Sequence, residues 1–554
     1  MPQNSSLIIT KAKALTNTET CLELFTLRTP LISGRAEVSA PWSFDIPDSP
    51  YRQSRLYAEG FQMLSVQEGT FENRIFTGRC PDDDLPYRLN PLTGSTREAY
   101  GVIAFENRSK GWTLLGFTSQ ESAVGRFLIN ADTCEITISL LCESTGSRVF
   151  SEGLCKIKAP SLKNALELYA SVLTEKYKLR FKKAPMGWCS WYSRYEKVTA
   201  DYVRKNLSEL SKYPELEYLL IDDGYETSIG DWLSFSDKFR DGPEGICSDI
   251  ISHGKIPGIW LAPMIASASS EIALRHNDWF ALGADDKTAV ASDYTYGGWR
   301  DLPWLTLDYG IKEVRDWISQ VTGTMAERFG VRLFKLDSLY WGSYQGLCFR
   351  SGISGPENIR LALKTIRDAA GGDAFILGCN APLWESVGLV DGMRVGDDIR
   401  RDGEVFASTS EECALRSWMN RRLWINDPDC LVLCDLEDQR AGEGEYAFHV
   451  GSVIASDGLL MSGDDLCAMP MERQDLLRAV IRAASQRKEI SSDETYEHIS
   501  VILCADKTRL EIFLNRGPTQ KTVELPSGTD FMTYKKTGGS LTLEPYNGKI
   551  VIDG

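Results

Sequence analysis

The sequence predicts a multidomain chain with a central (β/α)8 barrel of the TIM type, flanked by a large N-terminal β-sandwich and a small C-terminal antiparallel β-sandwich. Three observations carry this expectation. Up to about residue 175, apolar and polar residues alternate between turn signals. From 184 to 465, short apolar runs alternate with helical stretches, one unit after another. From about 487 the strand-like alternation returns. The expected boundaries are 1–178, 179–486 and 487–554, since 554 residues exceed one ordinary core.

In the first part, LIITKAKAL, CLELFTLRT, REAYGVIAFEN, KGWTLLGFTS and CEITISLLC read as strands. SLKNALELYASVLTEKYKL, from 161 to 179, has helical apolar spacing and reads as a connector. The barrel strands are expected at 184–191, 218–224, 256–263, 331–338, 374–380, 390–398, 423–427 and 458–465. Helices such as TADYVRKNLSELSKY, KEVRDWISQVTGTMAERFG, PENIRLALKTIRDAAG and EECALRSWMNRR fall between them. HISVILCADKT, RLEIFLNRG, KTVELP and GKIVIDG supply the C-terminal strands.

Composition narrows the function classes. A net charge of -16 argues against a nucleic-acid surface, which needs basic patches. No run of 18 apolar residues and no signal-peptide pattern is visible, so neither a membrane partner nor export is expected. Fourteen cysteines stand singly with no CxxC pair, which reads as reduced thiols in a cytoplasmic protein. Four histidines form no cluster, and they read as structural; no metal or organic cofactor is expected.

In a barrel of this kind, functional groups sit at the C-terminal ends of the strands. Those ends carry Trp191, Asp222 with Asp223, Trp260, Asp337 preceded by Lys335, Cys379 with Asn380, Arg394 with Asp397 and Asp398, Asn426 with Asp427, and Asp464 with Asp465. Tryptophan faces stack on the C–H surfaces of sugars, and carboxylates accept from sugar hydroxyls. Two further carboxylates flanking a glycosidic bond supply the chemistry, about 5 to 5.5 Å apart in a retaining enzyme. Lys335 and Asp337 point to the same side of a strand, so the lysine is expected to hold the carboxylate ionised. Structural roles at the rim suit Asn426, Asp427 and Asp464 better than substrate contact.

WCSW, LIDDGYE with GDW, GIWLAP, FKLD, ILGC and MRVGDD, in this order, resemble the α-galactosidases of glycoside hydrolase family 36 over roughly 184 to 465. The resemblance implies a retaining, exo-acting hydrolase of terminal α-linked galactose, with an oligosaccharide substrate and no cofactor. It assigns Asp337 as nucleophile and Asp398 as acid/base, with Asp397 as a competitor for that role. It implies that Asp222 and Asp223 grip the galactose O4 and O6. Lys335 and Arg394 match sugar-binding cations, Trp191 and Trp260 pocket aromatics, and Cys379 a residue near O2. Relatives place a tryptophan from the N-terminal domain over the sugar; here GFQML stands instead, with Phe61 as the substitute. Flanking β domains of this kind are compatible with a homo-oligomer.

Two close variants keep the same site: an α-galactosyl transglycosylase similar to raffinose synthases, and an α-N-acetylgalactosaminidase with room at Cys379. A different class, a metal-dependent lyase or isomerase on an acid-rich barrel rim, is opposed by the rim tryptophans and the lack of a phosphate-cradling loop. A binding protein on a decayed enzyme fold is opposed by the presence of both candidate catalytic acids.

Overall fold

The computed structural model describes residues 7–16, 20–42, 53–70, 74–77, 96–107, 111–130, 135–144, 146–283 and 285–553. Lys110 and Cys134, which open two of the expected strands, lie outside the described residues. An eight-stranded antiparallel sheet orders Ile8–Thr16, Cys21–Arg28, Ser151–Ala159, Gly111–Phe117, Val102–Asn107, Arg55–Glu59, Val66–Thr70 and Arg74–Thr77. A four-stranded sheet orders Ala36–Pro41, Ile136–Cys142, Val124–Asn130 and Thr96–Tyr100.

The expected strand REAYGVIAFEN divides at Gly101, where the chain passes from the smaller sheet to the larger. Gly101 has φ +68°, and a β-carbon there would lie 1.9 Å from the Trp384 indole of the barrel. Both demands select glycine. Beyond it, Ile103 and Phe105 enter the core between the two sheets, while Val102 and Ala104 face the barrel side. Both faces of the larger sheet are covered, which is why VIAF reads as a continuous apolar run.

The connector is the helix Leu162–Tyr177. The Ser161 side chain accepts from Asn164 N at its start, satisfying one free N–H. It buries Ala165, Leu166, Tyr169, Ala170 and Leu173 against the large sheet, and the Tyr169 hydroxyl donates to Phe117 O at 2.6 Å.

Eight parallel strands follow: β1 Met186–Cys189, β2 Tyr218–Ile221, β3 Ile256–Leu261, β4 Leu333–Leu336, β5 Phe375–Gly378, β6 Gly392–Arg394, β7 Ile425–Asp427 and β8 Leu460–Ser462. Neighbours pair in this order and β8 pairs β1. Leu459 N donating to Asn426 O at 2.9 Å brings β8 to β7 and nearly closes the barrel. Each strand is shorter than its apolar run. Most of the acidic residues expected at strand ends stand just past the ladder, where the chain has left it to face the rim. Among the described residues no helix is long and apolar enough to cross a membrane.

One expected helix is misplaced. EECALRSWMNRR, 411–422, is not one helix: the helix is Gly403–Leu415, followed by a single 3-10 turn. Asp402 accepts from Glu404 N and Val405 N and so starts it eight residues early. The C-terminal unit orders Lys488–Ser492, His498–Leu503, Arg509–Leu514, Gly548–Asp553, Lys521–Asp530 and Lys536–Leu543, all antiparallel, with helix Glu443–Ser456 of the barrel against it.

Arg416, just past the Gly403–Leu415 helix, joins barrel to sandwich. Its fully buried guanidinium donates to Glu59 at 2.8 Å, to Ser65 O at 2.6 Å and to Val395 O at 2.8 Å. Arg416→Met strands the Glu59 carboxylate without its cation, and about 3–5 kcal/mol of stability is expected to go. Chemical denaturation should show the loss, and Glu59→Met in the same chain should recover most of it; equal unfolding midpoints for wild type and Arg416→Met would refute this.

Candidate active site

At the C-terminal ends of the barrel strands opens a cavity of about 560 Å³. It falls within the usual size of small-molecule clefts, about 300–1,000 Å³. Trp191, Asp222, Asp223, Trp260, Lys335, Asp337, Cys379 and Asp398 all line it. Six different strands therefore bring these side chains to one place, Trp260 and Lys335 from within β3 and β4 and the others from the chain just past β1, β2, β4, β5 and β6.

Asp337 follows β4 and is half-buried. Trp260 Nε1 donates to Oδ2 at 3.1 Å and Ser338 N to Oδ1 at 2.6 Å. Ser338 adopts φ 54°, a left-handed turn that swings its own N–H back onto the carboxylate. The expected Lys335–Asp337 ion pair does not form. Lys335 Nζ donates to Asp222 Oδ2 at 2.9 Å, beside the Cys189 thiol, which donates to the same oxygen at 3.3 Å. Alternation places Lys335 and Asp337 on one side, but β2 is the nearer neighbour of the ammonium. Burial pushes the Asp337 carboxyl above its ordinary value; the charge of Lys335 pulls it down through space and is outweighed.

Asp223 is bound differently. Arg300 Nε donates to Oδ1 at 3.1 Å and to Oδ2 at 3.0 Å, Arg300 Nη2 also meets Oδ1, and Trp299 Nε1 donates to Oδ2 at 3.0 Å. Burial alone would raise Asp223, but Arg300 beside it turns the net shift downward. The same Nη2 meets Glu226. Glu226 is fully buried and lies beside Asp223, and both effects push its carboxyl well up against the opposing pull of Arg300. Gly224 stands between these groups with φ +114°; a β-carbon there would lie 2.7 Å from Glu196 O.

Asp398, on the same cavity, projects from the β6 loop with its side chain 60% exposed, accepting from Arg394 Nη2 at 2.8 Å. Asp397 also lines the cavity, but its Oδ1 turns back to accept from Asp398 N at 2.7 Å. Burial raises Asp397. Arg394 does not line the cavity. It lies beneath Asp398, gripping Asp398, Asp429 and Asp397 O. Glu412 accepts from Asp397 N at 2.7 Å, and burial pushes its carboxyl up to about 8. Asp427 and Asp464 stay off the lining, Asp427 accepting from Asp429 N and Asp464 from Arg401 and Leu433 N.

Phe61 is buried behind the wall, edge-on to Tyr340 at 5.9 Å and to Tyr100 at 5.5 Å. Met63 and Leu64 of the same GFQML stretch reach the cavity instead. The turn after Phe61 points it at the barrel core and carries the next side chains over the rim. Sequence reading also missed Tyr296, Trp299 and Arg300. They lie between β3 and β4, in a stretch whose only regular pieces near them are a 3-10 turn at Ala291–Asp293 and the short strand Trp304–Thr306. Its aromatic and glycine content, YTYGGWRDLPW, was the available signal: long loops over a barrel mouth are where function collects.

A family model described as Melibiase matches residues 149–340. The α-galactosidase AgaA of Geobacillus stearothermophilus is 25% identical over 178 residues, 31% of this chain. That match spans 23% of the relative's own length. The structure of TtGalA, an α-galactosidase from Thermus thermophilus with a bound nitrophenyl galactoside, superposes with TM-score 0.68 at 21% identity. It covers 90% of this chain and 97% of that one. The crystal structure of the Geobacillus stearothermophilus GH36 α-galactosidase AgaA gives TM-score 0.60 at 11% identity, covering 99% of this chain and 86% of the other. These likenesses show the fold: a TIM barrel with β-sandwich flanks.

The thiols offer a check on this site. Cys379 is buried at the cavity and burial pushes it well up, whereas Cys467 is exposed. Alkylation proceeds through the thiolate, so iodoacetamide at neutral pH should label Cys467 before Cys379 in the folded protein. Peptide mass mapping reads the order, and prior labelling of Cys379 would contradict the placement.

Proposed function

We propose that this chain is a retaining, exo-acting α-galactosidase of the glycoside hydrolase 36 type, acting on α-galactoside oligosaccharides in the cytoplasm. The observation that carries the reading is the meeting of Asp337 and Asp398 in one cavity with Asp222, Lys335 and Trp260. The Melibiase match ends at 340, three residues past Asp337, and the likeness to AgaA in fold extends to both flanking β units.

In this reading Asp337 is the nucleophile. It attacks the anomeric carbon while Asp398 protonates the departing oxygen, forming a glycosyl-enzyme. Asp398 then takes a proton from water, which attacks the same carbon and releases α-galactose with Asp337 free again. The exposed Asp398 side chain suits a group that must meet both leaving group and water. Asp397 is committed to the main chain and is the poorer candidate. Asp222, charged against Lys335, serves the sugar hydroxyls.

The test is release of p-nitrophenol from p-nitrophenyl α-galactoside with EDTA present. Wild type should be active. Asp337→Asn should be inactive, with azide restoring turnover and yielding β-galactosyl azide. Asp398→Asn should lose about 10²- to 10⁴-fold, the usual worth of a general acid–base group. Full activity in Asp398→Asn and its loss in Asp397→Asn would move the acid/base role. A wild type inert on this substrate, but active on the N-acetylgalactosaminide or only with a sugar acceptor, would replace the hydrolase reading with one of those variants.

The half-buried nucleophile sets a pH signature. Asp337 must be ionised, so kcat/KM falls as pH drops through its raised pKa, and the acidic limb lies above the ordinary aspartate range. Lys335→Met removes the charge that holds Asp337 down, and the limb should move to higher pH. A limb unmoved or lowered in that variant would detach Asp337 from it.

A further inference from the structure

Among the charged groups at the cavity, Arg300 comes from the long stretch between β3 and β4 rather than from a strand end. Its side chain is 18% exposed on the cavity wall. Nε reaches both oxygens of Asp223, at 3.1 and 3.0 Å, and Nη2 reaches Asp223 and Glu226 together. Nη1 donates to Asp301 Oδ2 at 2.6 Å, and that oxygen also accepts from Ile229 N at 3.2 Å. The preceding residue, Trp299, adds its own N–H to Asp223 and packs edge-on to Trp304 at 4.7 Å.

A carboxylate offers about four lone-pair sites. On Asp223 three N–H groups fill them, with the Arg300 Nε–H shared between the two oxygens. One further donor can enter only where that shared bond relaxes. The carboxylate plane is thereby fixed, and so is the direction from which a hydroxyl can reach it. Asp222 is held by a single ammonium, a thiol and the Asp223 N–H, a looser arrangement.

We propose that Arg300 is a positioning residue for substrate recognition: it orients Asp223 so that this carboxylate accepts a sugar hydroxyl in one geometry, and so sets affinity for the glycone. This rests on the proposed reading of the cavity as a galactoside site. The role acts through Asp223 and asks for a planar, forked cation, which a lysine does not replace.

The experiment compares wild type, Arg300→Ala and Arg300→Lys on p-nitrophenyl α-galactoside, with melting temperature measured alongside. Losing a hydrogen bond between charged groups predicts a KM increase of about 10-fold or more, with kcat changed far less. Arg300→Lys should resemble Arg300→Ala, and millimolar guanidinium should lower the KM of Arg300→Ala back towards wild type. The proposal is overturned by an unchanged KM, by full recovery in Arg300→Lys, or by a loss confined to kcat and melting temperature that guanidinium does not repair. A wild type that turns over no α-galactoside defeats the functional reading itself, and this inference with it; an active wild type with an indifferent Arg300→Ala defeats this inference alone.

Discussion

A buried carboxylate needs a partner, and the rim of this barrel buries many carboxylates. Asp222 has Lys335, Asp223 has Arg300, Asp429 has Arg394 and Asp464 has Arg401, and at the seam with the sandwich Glu59 has Arg416. Each cation comes from a different element than its acid. Charge balance in a weakly polarisable interior therefore does what loops cannot do unaided: it ties separate strand ends into one rigid mouth. Asp337, half-buried, has no touching cation among the described residues, as Asp427 and Glu412 have none: its direct donors are the neutral Trp260 and Ser338 N–H groups. A group fully neutralised by a touching cation is a poor nucleophile. Asp337 is stabilised from a distance and keeps its reactivity in the proposed reaction.

The β6 loop shows how the same device reaches further. Arg394 lies under Asp398, Glu412 holds the Asp397 N–H, and Arg416, four residues on, holds Val395 O. Glu412 and Arg416 are one helical turn apart at the end of Gly403–Leu415. One helix end thus fixes the loop that presents the rim carboxylate.

Much of this was legible in the sequence because two periodicities are hard to mistake. The eight short apolar runs gave the barrel and a set of acids at its rim; the resemblance carried by LIDDGYE, FKLD and MRVGDD singled out Asp222, Asp337 and Asp398 among them. The extent of each strand was not legible. A run such as VRLFKLDS does not say where pairing stops, and in the structure it stops at Leu336, because Asp337 and the left-handed Ser338 leave the ladder. The partner of Lys335 was hidden for a related reason: same-side placement within a strand says nothing of a neighbouring strand's carboxylate. Arg300 and Trp299 were hidden more deeply. They lie on a loop with little regular periodicity, and their meaning arises only when it folds across β2. Phe61 was chosen for its chemistry, yet the turn beside it gave its place to Met63 and Leu64.

That last exchange has a wider consequence. Met63 and Leu64 belong to the sandwich, whereas every charged group lining the cavity belongs to the barrel. Part of the cavity wall is thus a property of a seam between two layers, adjustable without disturbing the rim carboxylates. On the proposed reading, variation along that seam can select longer or bulkier oligosaccharides while the chemistry is inherited unchanged, which makes the sandwich the natural place for evolution, or an engineer, to diversify what the cavity admits.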